Sequence, residues 1–142
     1  MKKTIFLLKI LILYFYITLS YATGQQSYLN KGIELYKNKQ FDQSKVLFER
    51  DLVFNPKSEK SYLYLAKIFN KNENKEEEEI NLNNVLLLNP KNDEALYMLI
   101  LIKIDQSDYK GVEKLIKQFS LVCNNFCSKE DEIKKKFNKL TP

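Results

Sequence analysis

The sequence predicts an all-α protein made of three helix-turn-helix repeats followed by a C-terminal capping helix. The pair Asn55-Pro56 ends an apolar run, and Asn89-Pro90 ends another 34 residues later. A fixed period of this length is the signature of a repeat architecture. The chain also has only 3 Gly and 3 Pro, too few for the many tight turns of an all-β fold.

The period divides the chain into the units 25–58, 59–92 and 93–126, and in each the apolar spacing predicts two helices. The first helices are indicated by Tyr28, Gly32 and Leu35, by Tyr62, Leu65, Ala66 and Phe69, and by Leu96, Leu99 and Ile100. The second helices are indicated by Phe41, Val46, Leu47 and Phe48, by Leu82, Val85 and Leu86, and by Tyr109, Val112, Leu115, Ile116 and Phe119. Because proline cannot continue a helix, Pro56 and Pro90 close the first two units.

Residues 25 to about 126 resemble the tetratricopeptide repeat (TPR) family. That family has an aromatic residue near the start of its first helix, as Tyr28 and Tyr62 are here, and a small residue four positions later. Gly32 and Ala66 supply the small residue, whereas Ile100 departs from the pattern. The resemblance implies a short right-handed solenoid whose first helices line a concave groove.

The acidic run Glu76 to Glu79 falls where the second helix of the second unit begins. Carboxylates at a helix N-terminus complement its dipole, and we favour this interpretation over a site for a cation or a basic partner. Glu78 occupies a position that packs inward in the family, where Ser44 and Val112 stand in the other units. A local slip of one residue in register is one explanation.

A capping helix is predicted over residues 128–142. Ser128 with Asp131 three residues later is typical of a helix start. Ile133, Phe137 and Leu140 then form one apolar stripe on a lysine-rich helix. Repeat stacks need such a terminal helix, with one apolar and one polar face.

The N-terminal segment, residues 1–22, has the pattern of a signal peptide. Lys2 and Lys3 precede an apolar stretch of ten residues from Ile10 to Leu19, shorter than the about 20 residues that span a bilayer. Small residues at Ser20 and Ala22 predict cleavage after Ala22. The alternative is an uncleaved anchor from Ile5 to Ala22 in which Lys9 snorkels. Both place the body outside the cytoplasm, periplasmic or secreted.

Charge and composition argue against several function classes. The leader holds Lys2, Lys3 and Lys9 and no acid, so subtracting their three charges from the net +5 leaves +2 for the body. A net charge of +2 is too small to indicate a surface that binds nucleic acid. The chain has no His, which removes the commonest general base and metal ligand. We therefore expect no enzyme, no cofactor and no metal site.

The resemblance to the TPR family implies a groove that binds a segment of another protein. The corresponding residues are Leu29, Ile33 and Tyr36 in the first repeat, Leu63, Lys67, Asn70 and Lys71 in the second, and Tyr97, Leu101 and Ile104 in the third. Some members of the family clamp a C-terminal carboxylate there. Leu29, Ile33, Tyr64, Glu94 and Met98 stand at the corresponding positions and cannot do so.

The first helix of the third unit is apolar on every side from Leu96 to Ile102. Such a helix must be covered on every side. Its cover is the neighbouring repeat with the terminal helix, a second copy in a homodimer, or a ligand protein.

Cys123 and Cys127 are the only cysteines, and export places them in an oxidising compartment. We expect a disulfide that ties the last repeat to the terminal helix. A redox function is the sharper alternative, but the spacing is not that of thiol oxidoreductases.

Three functions follow from these expectations. The first is a non-enzymatic exported adaptor or assembly factor that binds a partner protein or peptide. The second is a structural subunit of an envelope complex, tethered by an uncleaved leader. The third is a thiol redox helper that uses Cys123 and Cys127.

Overall fold

The computed structural model describes residue 9 and residues 28–139, and in these ranges the regular structure is helical with no strand. The predicted leader lies outside the described residues apart from Lys9, as does Leu140 of the predicted capping stripe. No helix of the described part is both long enough and apolar enough to cross a membrane.

The helices follow the predicted order in pairs. They are α1 (described over residues 28–37), α2 (Phe41–Phe54), α3 (Glu59–Lys71), α4 (Lys75–Leu88), α5 (Asp93–Asp105), α6 (Tyr109–Val122) and, after a 3₁₀ turn at Cys127–Lys129, α7 (Glu130–Asn138). The prediction of an all-α repeat fold is confirmed. The described residues form two compact units, one that ends at Pro56 and one that begins at Lys57.

The turn inside each helix pair has a residue in the left-handed region. Lys39, Glu73 and Ser107 have φ values of 61°, 57° and 58°, and they are spaced by the 34-residue period. Only glycine adopts this conformation without cost. The repeated turn is therefore held by the helices on either side, since none of these residues prefers it.

The first unit is built on a close crossing of α1 and α2. Gly32 is buried, and a Cβ atom added there would lie 2.7 Å from Cε1 of the Phe48 ring. Tyr28 stacks on Phe54 with ring centroids 5.8 Å apart. The predicted small residue at the crossing is thus required by the aromatic ring that faces it.

The second unit packs α3 to α7 around two adjoining apolar clusters. One consists of Ala66, Leu82, Val85, Ala95, Leu99 and Ile102. The other consists of Leu96, Ile100, Ile104, Val112, Phe119 and Ile133. Ile133 comes from α7, so the terminal helix closes the second cluster as its apolar stripe predicts.

Helix α5 obtains its apolar cover within the unit. It packs against α4, α6 and α7, and Leu96, Ile100 and Ile102 are fully or almost fully buried. Of the three covers that the sequence left open, the neighbouring repeat with the terminal helix accounts for these residues. Ile100 replaces the small residue expected at the crossing and is itself part of the core.

The acidic run divides into three environments. Glu76 and Glu77 are exposed in the first turn of α4, where they complement the helix dipole. Glu79 forms an ion pair with Lys103 of α5. Glu78 is 1% exposed and stays in the inward position, so the suggested slip in register is wrong. The reason is that Asn70 and Lys75 lie beside its carboxylate.

Candidate functional site

In the second unit, the first helices α3 and α5 carry seven of the predicted groove residues. The surface shared by these two helices is called the α3/α5 face. It is defined by the predicted residues Leu63, Lys67 and Leu101 together with Tyr64 and Glu94. All five side chains are half-buried. The face therefore combines apolar side chains with one cation and one anion.

Lys67 and Glu94 join the two helices across this face. The Lys67 Nζ atom lies 2.7 Å from Oε1 of Glu94 and 5.1 Å from the centroid of the Tyr64 ring. Burial first, and then the charge of Glu94, raise the pKa of Tyr64 above its ordinary value. The ammonium group of Lys67, a predicted groove residue, is therefore neutralised by Glu94, which the sequence analysis had noted only as unfit for a carboxylate clamp.

That pairing has a signal in the sequence. Lys67 is the ninth residue of the unit 59–92, and Glu94 is the second residue of the unit 93–126. Positions on neighbouring first helices approach each other in a repeat stack. Opposite charges at these two positions therefore predict an ion pair.

Tyr97 is covered by the segment that leads into α7. Its ring lies 5.7 Å from that of Phe126, and the Lys129 Nζ atom lies 5.8 Å from its centroid. Its hydroxyl donates to Oε1 of Glu132 at 3.4 Å. Only part of Tyr97 is therefore open to a partner, because the terminal helix occupies one side of it.

The other predicted groove residues of this unit differ in their surroundings. Ile104 is 9% exposed within the second apolar cluster, so it belongs to the core and not to the groove surface. Asn70 donates through Nδ2 to Oε1 of Glu78 at 2.9 Å, which engages its amide with α4. Lys71 is exposed.

The predicted residues of the first unit lie on α1. Leu29, Ile33 and Tyr36 are all half-buried. The Tyr36 ring meets the Phe41 ring edge to face at 5.3 Å. Part of each side chain therefore packs within the unit and part is open.

Cys123 and Cys127 are joined by a disulfide, with Cα atoms 5.1 Å apart. The loop that it closes contains Asn124, Asn125 and Phe126. Backbone N–H groups of these three residues donate to the Oδ2 atom of Asp93 at 2.8, 2.7 and 3.0 Å. The disulfide thus closes a loop whose amides all bind one carboxylate, which is a structural arrangement.

Asp93 is the acceptor that the sequence analysis missed. It is the first residue of α5, and Asn92 caps that helix through its side chain. Burial by itself raises the pKa of Asp93, but the backbone N–H groups of Asn124, Phe126 and Asn125 outweigh it, so the pKa lies below its ordinary value. An Asp next to a helix start is common, so no local pattern distinguished this one.

Three carboxylates of the described residues lie away from the solvated helix faces. Asp51, Glu78 and Asp93 are buried, because each occupies an inward helix position or receives hydrogen bonds. Within residues 28–139, no group of three or more Cys, Asp and Glu side chains is placed to hold a metal ion.

Comparison with known proteins identifies the fold. No family model and no curated protein sequence matches the chain. Among solved structures, the first TPR domain of Spaghetti (RPAP3) bound to the HSP90 peptide SRMEEVD is similar at 14% identity, with a TM-score of 0.72 over 83% of this chain and 94% of that one. The Sgt2 TPR domain from Aspergillus fumigatus is similar at 18% identity, with a TM-score of 0.65 over 81% of this chain and 80% of that one.

A bacterial structure is similar to this chain as well. PilF of Pseudomonas aeruginosa is similar at 14% identity and a TM-score of 0.63, over 86% of this chain but only 54% of its own length. At these identities the likeness concerns the fold alone. Together with the repeated helix pairs and the 34-residue turn positions, it shows that this chain has the fold of a tetratricopeptide repeat domain.

Proposed function

We propose that this protein is a non-enzymatic interaction module, an exported adaptor or assembly factor, that binds a segment of a partner protein on the α3/α5 face. The observation that carries the proposal is the fold, because similar solved structures include a TPR domain bound to a peptide and the CopN–Scc3 complex. Fold alone does not fix the partner, so its chemistry has to come from the face itself.

The α3/α5 face favours an apolar partner segment. Leu63 and Leu101 are half-buried and supply apolar contact. Lys67 is paired with Glu94, so the two charges offset each other. A partner with an acidic C-terminus, like the peptide SRMEEVD bound to RPAP3, would meet the carboxylate of Glu94 instead of a cationic clamp.

A recognition helix with apolar residues on one side matches this surface. Amphipathic helices bind in grooves through side chains at a spacing of three and four residues. Leucine side chains that are already partly desolvated lose little entropy when such a helix covers them. The expected partner is therefore a helix-forming segment of an envelope protein, reached after export through the predicted leader.

The test is capture of a partner from a mild detergent extract of the envelope of the source cell. The tagged full chain is compared with Leu101→Glu and with Leu63→Glu, each of which places a carboxylate in the α3/α5 face. The matched control is Val46→Glu, which also replaces an apolar side chain by a carboxylate, at an exposed position of α2. Circular dichroism checks that all variants keep the helical content of the native protein.

We expect one protein to be captured by the native chain and by the Val46→Glu control, and to be lost from both α3/α5 variants. The double variant Lys67→Glu with Glu94→Lys keeps the ion pair with its direction reversed, and it should retain most of the binding because the partner segment is apolar. Equal capture by the native chain, the control and both α3/α5 variants would place the binding surface elsewhere and refute the proposal.

A further inference from the structure

A second apolar feature recurs on the second helix of each pair. Val53, Leu87 and Leu121 are spaced by 34 residues, and they are 77%, 80% and 86% exposed. A single exposed leucine on a protein surface is ordinary. It is unusual for a large apolar side chain to be exposed at the same position of every repeat, and such recurrence indicates a contact surface.

In the second unit, Leu87 and Leu121 lie at the same end. Each is near the C-terminus of its helix, α4 or α6. The Gln118 Nε2 atom of α6 donates to the Pro90 carbonyl at 2.8 Å, which holds the end of α6 against the turn after α4. Leu88, which is 37% exposed, adds to the apolar area of this end.

The charges around these leucines are positive. The segments 80–92 and 114–129 contain Lys91, Lys114, Lys117 and Lys129 and no Asp or Glu. Lys91 and Lys114 are exposed, whereas Lys117 pairs with Glu113 and Lys129 with Glu132.

Three carboxylates from outside these segments reach this end of the unit, and all three are engaged. The Oδ2 atom of Asp93 accepts from the backbone of 124–126. The Oε1 atom of Glu59 accepts hydrogen bonds from the side chains of Asn89 and Asn92. The Oε1 atom of Glu130 accepts from Ser120 and Lys134. The exposed leucines are thus flanked by lysine and asparagine, with the nearby negative charges already bound.

The first unit shows the same composition on its own. Val53 and Phe54 are both more than half exposed at the end of α2. Of the acids nearby on this helix, Asp51 is buried and Glu49 forms an ion pair with Lys45. Arg50, three residues before Val53, is exposed. Protruding apolar side chains beside an exposed cation therefore occur in both units.

We propose that Leu87 and Leu121 insert into the surface of an anionic lipid bilayer, with Lys91 and Lys114 against the phosphate headgroups. Apolar side chains that enter the headgroup region, flanked by lysine, are what binds a protein to such a surface. A second protein copy fits less well, because two or three leucines supply far less than the about 800 Å² per partner that a stable protein interface buries.

The chain contains no tryptophan, so a single introduced one reports on one position. The variants Leu87→Trp and Leu121→Trp are made in the full chain and mixed with vesicles of phosphatidylglycerol and phosphatidylcholine. The matched control is Tyr109→Trp, at the opposite end of α6 and 43% exposed in the native protein. Because every variant has the same leader, binding of the leader to lipid affects all of them equally.

We expect the emission of Leu87→Trp and Leu121→Trp to shift to the blue with these vesicles and to be quenched by brominated lipid, while Tyr109→Trp changes little. With Lys91→Glu and Lys114→Glu added to Leu121→Trp, the shift should fall to the smaller value seen with pure phosphatidylcholine. If the vesicles shifted the emission of Leu87→Trp, Leu121→Trp and Tyr109→Trp by the same amount, the proposal would be overturned. A blue shift without vesicles that grows with protein concentration would also overturn it, in favour of a second copy.

Discussion

The Ser44 hydroxyl donates a hydrogen bond to the backbone carbonyl of Gly32 at 2.8 Å, where α1 and α2 cross. Both residues are buried. The Ser44 hydroxyl gives the Gly32 carbonyl a second hydrogen bond, in addition to the one that it accepts within α1. The absence of a side chain on Gly32 lets the ring of Phe48 approach. Ala66 and the charged Glu78, both buried, stand at the corresponding positions of the second unit, so the two crossings differ in chemistry although they share a position in the repeat.

The variant Gly32→Ala should destabilise the protein. Alanine favours a helix by about 1 kcal/mol over glycine, but its Cβ atom would lie 2.7 Å from the Phe48 ring, and overpacking costs roughly 1–3 kcal/mol. We expect a net loss of about 1 kcal/mol in urea unfolding. The control Lys31→Ala, at an exposed position of the same helix, should leave the free energy of unfolding unchanged. A more stable Gly32→Ala variant would show that the ring moves aside freely.

The left-handed turn residues predict a stabilising substitution. Glu73 has a φ of 57° and is exposed, so Glu73→Gly should remove the conformational cost and raise the free energy of unfolding by about 1 kcal/mol. Ser107→Gly should do the same in the next repeat. Lys117→Gly, at an exposed position inside α6, is the opposite control and should lose about 1 kcal/mol. Thermal unfolding measures all three, and a loss with Glu73→Gly would contradict the argument.

Asp93 predicts a dependence of stability on pH. Its pKa in the folded state lies below the ordinary value of 3.8, so its contribution is fully present above that value and is lost as the pH falls through the lower folded pKa. At neutral pH, Asp93→Asn should lose roughly 1–3 kcal/mol, because three part-buried N–H groups lose a charged acceptor.

The measurement for Asp93 is urea unfolding of both proteins at pH 7 and near pH 3. The difference in unfolding free energy between native protein and variant should shrink at the lower pH. Asp131→Asn, at an exposed position in α7, is the control and should match the native protein at both. A difference that is the same at both pH values would mean that the charge of Asp93 contributes nothing.

Removal of the disulfide should loosen the loop that binds Asp93. A closed loop of five residues contributes roughly 2 kcal/mol, and the double variant Cys123→Ser with Cys127→Ser should lose about that amount. Hydrogen exchange at the N–H groups of 124–126 should accelerate. A reducing agent should have this effect on the native protein and none on the double variant. If the variant also lost partner capture at full helical content, a redox function would regain support.

Glu78 predicts the opposite dependence on pH. Burial raises the pKa of Glu78, and the hydrogen bond from Asn70 and the charge of Lys75 only partly offset it. The Oε2 atom is buried without a hydrogen-bond partner. A raised pKa means that the folded state holds its proton more tightly, so the ionised carboxylate lowers stability above the folded pKa, and this cost disappears as the pH falls below 4.5.

The variant Glu78→Gln should therefore be more stable than the native protein at neutral pH, by about 1 kcal/mol, and should lose that advantage in acid. Glu76→Gln, exposed in the same turn, should instead lose a few tenths of a kcal/mol, because it removes a charge that complements the dipole of α4. Chemical unfolding at pH 7 and near pH 4 separates the two. A destabilised Glu78→Gln at pH 7 would mean that Lys75 compensates the buried charge fully.

The helix pairs and their order could be predicted from the sequence because they depend on local patterns. Apolar spacing, Asn-Pro at the ends of α2 and α4, and small residues at two crossings act within a single repeat. The apolar stripe of Ile133 and Phe137 likewise indicated a terminal helix before its contacts were known. The leader is also a local pattern, and it remains a prediction because it falls outside the described residues.

Tertiary structure alone decided which side chains face one another across helices. It placed Ile104 in the core and directed three amides of the disulfide loop to Asp93. It kept Glu78 buried although its charge favours water. The sequence by itself determined the repeat and its fold, since these follow from periodicity. Burial and pairing depend on distances between residues about 30 positions apart, and no local pattern specifies those distances.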